Sequence, residues 1–165
     1  MRALKIKWQR LLIDEIGQTC PRCGSTENEI DKAVNTLNRS LAPLGIDVII
    51  EKKVLDSVTF AKNVLESNRI WINDVPLEKW LGAEVDQSLC CDVCGDAECR
   101  TVKVGENIYE TIPADLIVKT GLIAASNMIA IESKEPCCEN NVSKEMSTGT
   151  GICCQIPNNN SSERK

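Results

Sequence analysis

Residues 4–50 read LKIKWQRLLIDEIGQTCPRCGSTENEIDKAVNTLNRSLAPLGIDVII, and the order in which their periodicity changes points to an α/β fold. Leu4, Ile6 and Trp8 alternate with Lys5, Lys7 and Gln9, the period-two pattern of a half-buried strand. The phase shifts at Arg10 and an apolar run, Leu11, Leu12 and Ile13, follows, so residues 4–13 read as one strand with a bulge. A polar loop, residues 14–24, then carries Cys20-Pro21-Arg22-Cys23. Thr26-Glu27-Asn28-Glu29 is a capping-box pattern. Ile30, Val34, Leu37, Leu41 and Leu44 recur at helical spacing, with Pro43 and Gly45 as the stop signal. Ile46 to Ile50, interrupted only by Asp47, reads as a buried strand parallel to the first across a helical crossover.

Further along the chain, Asp56 or Ser57 caps a short helix ending near Leu65. Arg69 to Asn73 reads as a strand, Asn73-Asp74 as a turn, and Val75 to Leu81 as a strand or short helix that Pro76 keeps off a central position. Gly105-Glu106-Asn107 lies between two β-rich runs, 101–104 and 108–112, and predicts a hairpin. Pro113 suits the first position of a last, strongly apolar helix, residues 114–130. The remaining residues, 131–165, are rich in Ser, Asn, Glu and Lys and read as a disordered tail.

The chain has 165 residues, 42% of them hydrophobic, which is enough for one domain plus an appendage. Its net charge of −5 leaves no broad basic surface for nucleic acid or an anionic membrane. One Phe and one Tyr beside three Trp provide no stacking platform for single strands, and the tryptophans read as core or sheet-face residues at strand positions. There is no histidine, which removes the Ser-His-Asp triad, the Cys-His dyad and the H-E-x-x-H zinc site. Neither a phosphate loop nor a dinucleotide fingerprint is present, and Glu51, Lys52 and Lys53 read as a solvated strand end.

Ten cysteines stand against that absence. The N-terminal stretch lacks a long apolar segment and a cleavage site, and no run is long and apolar enough to span a bilayer. The expectation is therefore a cytoplasmic protein whose thiols serve redox or metal chemistry. The plainer alternative is a disulfide framework in a secreted protein.

Cys20-x-x-Cys23 supports two chemistries. As a redox pair, Cys20 is an exposed nucleophile and Cys23 the resolving thiol, with Arg22 and a nearby helix N-terminus favouring the thiolate. As a metal knuckle, the spacing lets both sulfurs reach one ion and Gly24 turns backbone donors toward them. Cys91-Asp-Val-Cys94-Gly95 repeats the knuckle, and with Cys90 and Cys99 it puts four thiols inside residues 88–100. Three of those four, or Cys20, Cys23, Cys91 and Cys94 together, could hold zinc or an iron–sulfur centre. A loop stapled by a disulfide or left reduced is the structural alternative. The tail pairs Cys137-Cys138 and Cys153-Cys154 could capture Cu(I), Hg(II) or As(III), relay electrons, or do nothing specific. Asp92, Asp96 and Glu98 are hard-metal donors without EF-hand spacing.

The order strand, C-x-x-C, helix, strand, helix, strand-turn-strand, insert, helix resembles the thioredoxin-like fold, the glutaredoxin-type core above all. Residues 69–82, RIWINDVPLEKWLG, look like its paired third and fourth strands. The resemblance implies a three-layer α/β/α domain over residues 1–130, with a cysteine-rich insert at 88–100 and a hairpin before the last helix. Residues 5–130 are also similar to an uncharacterised family of small cysteine-rich bacterial and archaeal proteins. The matching stretches are Trp8-Gln-Arg-Leu11, Gln18-Thr-Cys-Pro-Arg-Cys-Gly24, Asn68-Arg-Ile-Trp-Ile-Asn73 and Cys90-Cys-Asp-Val-Cys-Gly-Asp96. Two departures from the thioredoxin-like pattern stand out. The position of the usual cis-proline reads Ser67-Asn68-Arg69, and the expected helix cap, Thr26, falls after Cys23.

The leading functional expectation is thiol–disulfide exchange with a protein or small-molecule disulfide, through Cys20 and Cys23 and with no cofactor. The alternative is a thiolate protein without catalytic activity that binds zinc or another thiophilic metal or metalloid. It would use Cys20, Cys23, Cys90, Cys91, Cys94 and Cys99, with the tail pairs as further capture sites.

Overall fold

The computed structural model describes residues 2–12, 19–90 and 96–132. The chain divides into two units, Met1–Lys134 and Glu135–Lys165, and the second lies outside the described residues. The first is a mixed α/β unit with two sheets and four α-helices among the described residues.

The main sheet is built on β1 (Arg2–Leu11). β2 (Ile46–Leu55) runs parallel to it, in register from Arg2 opposite Ile46 to Leu11 opposite Leu55. β3 (Arg69–Ile72) lies antiparallel on its other side, and the two-residue β4 (Val75–Pro76) pairs antiparallel with β3. The order is β2-β1-β3-β4, so Pro76 sits on an edge strand, where its missing N–H is harmless. Asn73 and Asp74, at φ 48° and 62°, form the tight turn between β3 and β4. β2 continues past its expected end at Ile50, so Glu51, Lys52 and Lys53 are exposed strand residues. Glu51 pairs with Lys5 at 2.9 Å and Lys52 with Glu27 at 2.6 Å.

Helix α1 (Pro21–Leu41) carries the crossover. Its row Ile30, Ala33, Leu37 and Leu41 is buried against Leu4, Ile6 and Trp8 of β1, each of these three 0% exposed. A fully buried aliphatic side chain contributes about 1.5–3 kcal/mol, so this row outweighs the poor helix propensity of the Asn and Thr residues between. α4 (Ala114–Glu132) packs beside α1 on the same face. The two approach closely at Gly121, where an added Cβ would lie 2.7 Å from Leu37 Cδ1. The short α3 (Leu77–Leu81) adds Leu77 to this core. Trp80 lies on α3 and not on a strand, and its Nε1 donates to the Ile72 carbonyl at 3.2 Å.

The opposite face of the sheet differs from the three-layer expectation. Lys5, Lys7, Ile49 and Trp71 are exposed or half-buried there, and Lys7 and Arg69 sit over the Trp71 ring at 4.9 and 4.8 Å. Among the described residues, cover is confined to its far end, where Phe60 of α2 (Ser57–Lys62) packs with Leu11, Leu55 and Cys99. α2 is too short to shield a ten-residue strand. Asp56 caps it, accepting from the Thr59 N–H at 2.8 Å.

The described residues on either side of the segment expected as a cysteine-rich insert, 84–89 and 98–104, belong to a second sheet. β5 (Glu84–Leu89), β6 (Glu98–Val104) and β7 (Asn107–Tyr109) form an antiparallel meander in the order β5-β6-β7. The expected hairpin is β6–β7, turning through Gly105 at φ 61°.

The start of the crossover helix also differs from the expectation. α1 begins at Pro21, well ahead of Thr26, and Cys20 occupies the N-cap. Thr26 is instead fully buried inside the helix, where its hydroxyl accepts from Asn68 Nδ2 at 2.9 Å. Glu29 caps a different helix: its carboxylate accepts from the Ala114 N–H at 2.9 Å, at the start of α4. Asn68 is buried at φ 52°, and its Oδ1 accepts from Trp8 Nε1 at 3.1 Å. One side-chain amide therefore ties β1, α1 and the start of β3 together.

Replacing Asn68 by Ala orphans the buried Trp8 N–H and keeps a left-handed backbone without the bonds that hold it. The expected cost is about 2–4 kcal/mol, read as a lowered urea midpoint. A midpoint shift worth less than about 0.5 kcal/mol would remove Asn68 from this role.

Candidate thiol site

Four cysteines among the described residues gather where α1 begins. Cys20, the N-cap, and Cys23, in the first turn, are each 2% exposed, and Cys99 of β6 is 3% exposed. Cys90, immediately after β5, is half-buried. None of the four is in a disulfide. Pro21 at the first helical position and the Gly24 N–H donating to the Cys20 carbonyl at 2.9 Å start the helix there.

Strand register brings the second pair together. Ser88 of β5 lies opposite Cys99 of β6, and the Cys90 N–H donates to the Ala97 carbonyl at 2.9 Å. The Sγ atoms of Cys90 and Cys99 approach to 2.6 Å. Cys90 touches both cores, the one containing Cys20 and Cys23 and the one containing Cys99.

Arg22, between the two cysteines of the C-x-x-C, links the pairs. Its side chain is buried, and its Nη2 donates to Ser88 Oγ and to the Leu89 carbonyl, both at 3.0 Å. The same nitrogen lies 2.9 Å from the Glu110 carboxylate. The residue after Leu89 is Cys90, so Arg22 fixes the backbone from which Cys90 projects. A cleft of about 320 Å³ opens beside this clamp, lined by Pro21, Arg22, Ser25, Cys90, Glu110 and Thr111 among others.

Electrostatics favour the neutral thiol at the inner positions. The Cys23 thiol is pushed far above its ordinary value by its hydrogen bond with Cys20, by burial and by the Cys20 charge, and a hydrogen bond from Thr19 opposes this. The Cys99 thiol is pushed up to about 12, by burial first and then by Cys90, while the Arg22 guanidinium pulls the other way. The charge of Cys20 also acts on Cys99. The surroundings therefore hold protons on Cys23 and Cys99.

As the sequence predicts, Cys20 and Cys23 are adjacent, but Cys20 is buried and not exposed. The thiols Cys90 and Cys99 join them. Cys91, Cys94, Cys137, Cys138, Cys153 and Cys154 lie outside the described residues. Among the described residues, no group of three or more His, Cys, Asp or Glu is arranged to hold a metal ion, and no helix is long and apolar enough to cross a membrane. Sequence reasoning missed Glu110, and it marked Asn68 only as part of a family-matching stretch and of the segment in the cis-proline position, not for its bonds. It weighed Arg22 only as a nearby charge, although Pro21 ahead of a long apolar periodicity signals a helix that would bury the residue after it.

Residues 4–121 match the family model described as a domain of unknown function, DUF2703, and the chain belongs to that family. An uncharacterized protein of Archaeoglobus fulgidus is 48% identical over 114 residues, covering 69% of this chain and 82% of the relative. No solved structure matches the chain.

A raised thiol pKa has a signed consequence for stability. Cys99 stays neutral in the folded chain up to about 12 but ionises near 9 when unfolded. Its contribution is complete below pH 9 and is lost as pH rises toward 12. Under full reduction, the urea midpoint of the wild type should fall through this window more steeply than that of Cys99→Ala. Parallel slopes would contradict the burial of a neutral Cys99.

Proposed function

We propose that this member of the family is a thiol–disulfide exchange protein of the cytoplasm, built on a thioredoxin-like core and using Cys20 and Cys23. The observation that carries the reading is the placement of Cys20 at the N-cap of α1 with Cys23 in its first turn, beside a second thiol pair. The parallel β1-α1-β2 unit, the antiparallel β3-β4 edge, the order β2-β1-β3-β4 and the closing α4 support the core assignment.

In this reading the Cys20 thiolate attacks one sulfur of a disulfide. The S–S bond breaks, the leaving sulfur takes a proton, and Cys20 carries a mixed disulfide. Cys23 then loses its proton and attacks the Cys20 sulfur, expelling the second thiol and closing the Cys20–Cys23 disulfide. Two electrons pass from the cysteine pair to the substrate, and no cofactor takes part. The partially positive start of α1 and the buried Arg22 guanidinium favour negative charge on sulfur at this point of the fold. A reducing compartment suits the chemistry, because it returns the pair to the dithiol.

Binding of a thiophilic ion such as zinc, Cu(I), Hg(II) or As(III) is the competing use of the same thiols. One preparation separates the two. Chain purified without oxygen or added metal, reduced, desalted and exposed to glutathione disulfide should acquire a Cys20–Cys23 disulfide that dithiothreitol reverses. Cys20→Ser should lower the yield of glutathione by about two per chain, the two-electron capacity of the lost pair. Cys20 and Cys23 remaining reduced in the wild type would overturn exchange. So would a tightly held zinc ion that shields them from alkylation until a chelator is added.

A further inference from the structure

The exchange reading leaves a problem of access. Attack on a disulfide requires an in-line approach of three sulfurs, and Cys20 at 2% exposure offers no room for an external disulfide. Cys23 and Cys99 are as deeply buried. Cys90 is different. It is half-buried, it lines the cleft of about 320 Å³ beside the start of α1, and it packs against both cores. Its sulfur lies 2.6 Å from that of Cys99, so little movement would close a bond of about 2.05 Å. Arg22 holds it there through the Leu89 carbonyl and Ser88.

We propose that Cys90 is the thiol that meets the external disulfide, and that Cys90 and Cys99 pass its oxidising equivalents inward to Cys20 and Cys23. This rests on the exchange reading and names the disulfide that Cys20 attacks: the internal Cys90–Cys99 bond.

The steps balance. The Cys90 thiolate attacks an organic disulfide, breaks its S–S bond and releases one thiol, which takes a proton. Cys99 gives up its proton and attacks the Cys90 sulfur, releasing the second thiol and forming the Cys90–Cys99 disulfide. The substrate has gained two electrons and two protons: the outer pair has lost the two electrons and the Cys99 proton, and the other proton returns from solvent, where Cys90 released it on ionising. The Cys20 thiolate then attacks the Cys99 sulfur and frees Cys90 as a thiolate. Cys23 gives up its proton, attacks the Cys20 sulfur and closes the Cys20–Cys23 disulfide, and the freed Cys99 sulfur takes a proton in its place. The outer pair is again reduced, with Cys90 as the thiolate and Cys99 as the thiol, and can accept a second substrate. Cys90 packs against the core that contains Cys20 and Cys23, which sets the outer pair beside the inner one. The cleft is polar at Arg22, Ser25, Glu110 and Thr111, which suits a small hydrophilic disulfide.

The test follows the inner disulfide itself. Reduced chain is mixed with glutathione disulfide, quenched with an alkylating agent at intervals, and mapped by tandem mass spectrometry that separates Cys90 from Cys91. In Cys90→Ser, which alters only a half-buried side chain, the Cys20–Cys23 disulfide should appear at least about 20-fold more slowly than in the wild type, because loss of the direct acceptor leaves only rare local opening. In Cys99→Ser, glutathione should remain on Cys90. Circular dichroism and urea midpoints verify that the variants fold, and Cys90→Ser decides the matter even if Cys99→Ser does not. A Cys20–Cys23 disulfide forming in Cys90→Ser within about twofold of the wild-type rate would overturn the relay and leave the exchange reading standing. A wild type in which Cys90 takes up glutathione but Cys20 and Cys23 stay reduced would overturn both the inward transfer and the Cys20–Cys23 assignment.

Discussion

A buried guanidinium must be paired, and Arg22 is paired with three groups from two other parts of the chain. Its Nη2 reaches Ser88 Oγ, the Leu89 carbonyl and the Glu110 carboxylate. The start of α1, the end of β5 and the segment after β7 therefore meet at one nitrogen. Glu110 is largely exposed, so its share is screened by solvent. The buried bonds from the guanidinium to Ser88 and the Leu89 carbonyl carry the junction, each worth about 1.5–3 kcal/mol as hydrogen bonds to a charged group. Those buried bonds make the junction between the two sheets specific: a slip of β5 by one residue would exchange the Leu89 carbonyl for an outward-facing group. The position of Cys90 follows directly, since it is the next residue along the chain.

Burial has a chemical consequence beyond packing. Cys20, Cys23 and Cys99 are buried, and for Cys23 and Cys99 the surroundings favour the neutral form, which is neither nucleophile nor metal ligand. The opposing influences are short-ranged: the helix start for Cys23, and the Arg22 guanidinium for Cys99. Reactivity is thus confined to the few sulfurs that both face a positive group and can be reached. Cys23 and Cys99, protonated and covered, are the sulfurs slow to react with solutes.

Asn68 performs the corresponding task for the main sheet. Its amide bonds to Trp8 of β1 and Thr26 of α1, and its Nδ2 also lies 3.4 Å from the Glu110 carbonyl. Glu110 therefore takes part in both junctions, through its carboxylate at Arg22 and its carbonyl at Asn68. The thiol cluster rests on polar bonds that join distant segments, while the aliphatic rows of α1, α4 and β1 supply most of the buried apolar surface.

The first strand, the crossover helix, the parallel second strand, the β3–β4 turn, the β6–β7 hairpin and the last helix are all legible in the residues alone. Those signals are local, because alternation, helical spacing and turn residues act within a few positions. The start of α1 is misread from sequence, since the pattern at Thr26 and Glu29 matches a capping box in type while both side chains serve partners far along the chain, Asn68 and Ala114. Cys20, Cys23, Cys90 and Cys99 stand out as chemically significant by residue type, without any knowledge of their surroundings. Which sulfurs meet, and which one faces the cleft, follows only from how the chain packs. The pairing of Cys90 with Cys99 depends on the register of β5 on β6, and their approach to Cys20 and Cys23 depends on Arg22 bonding a carbonyl 67 residues away. No local pattern encodes such distances, because they result from how the whole chain buries its apolar faces.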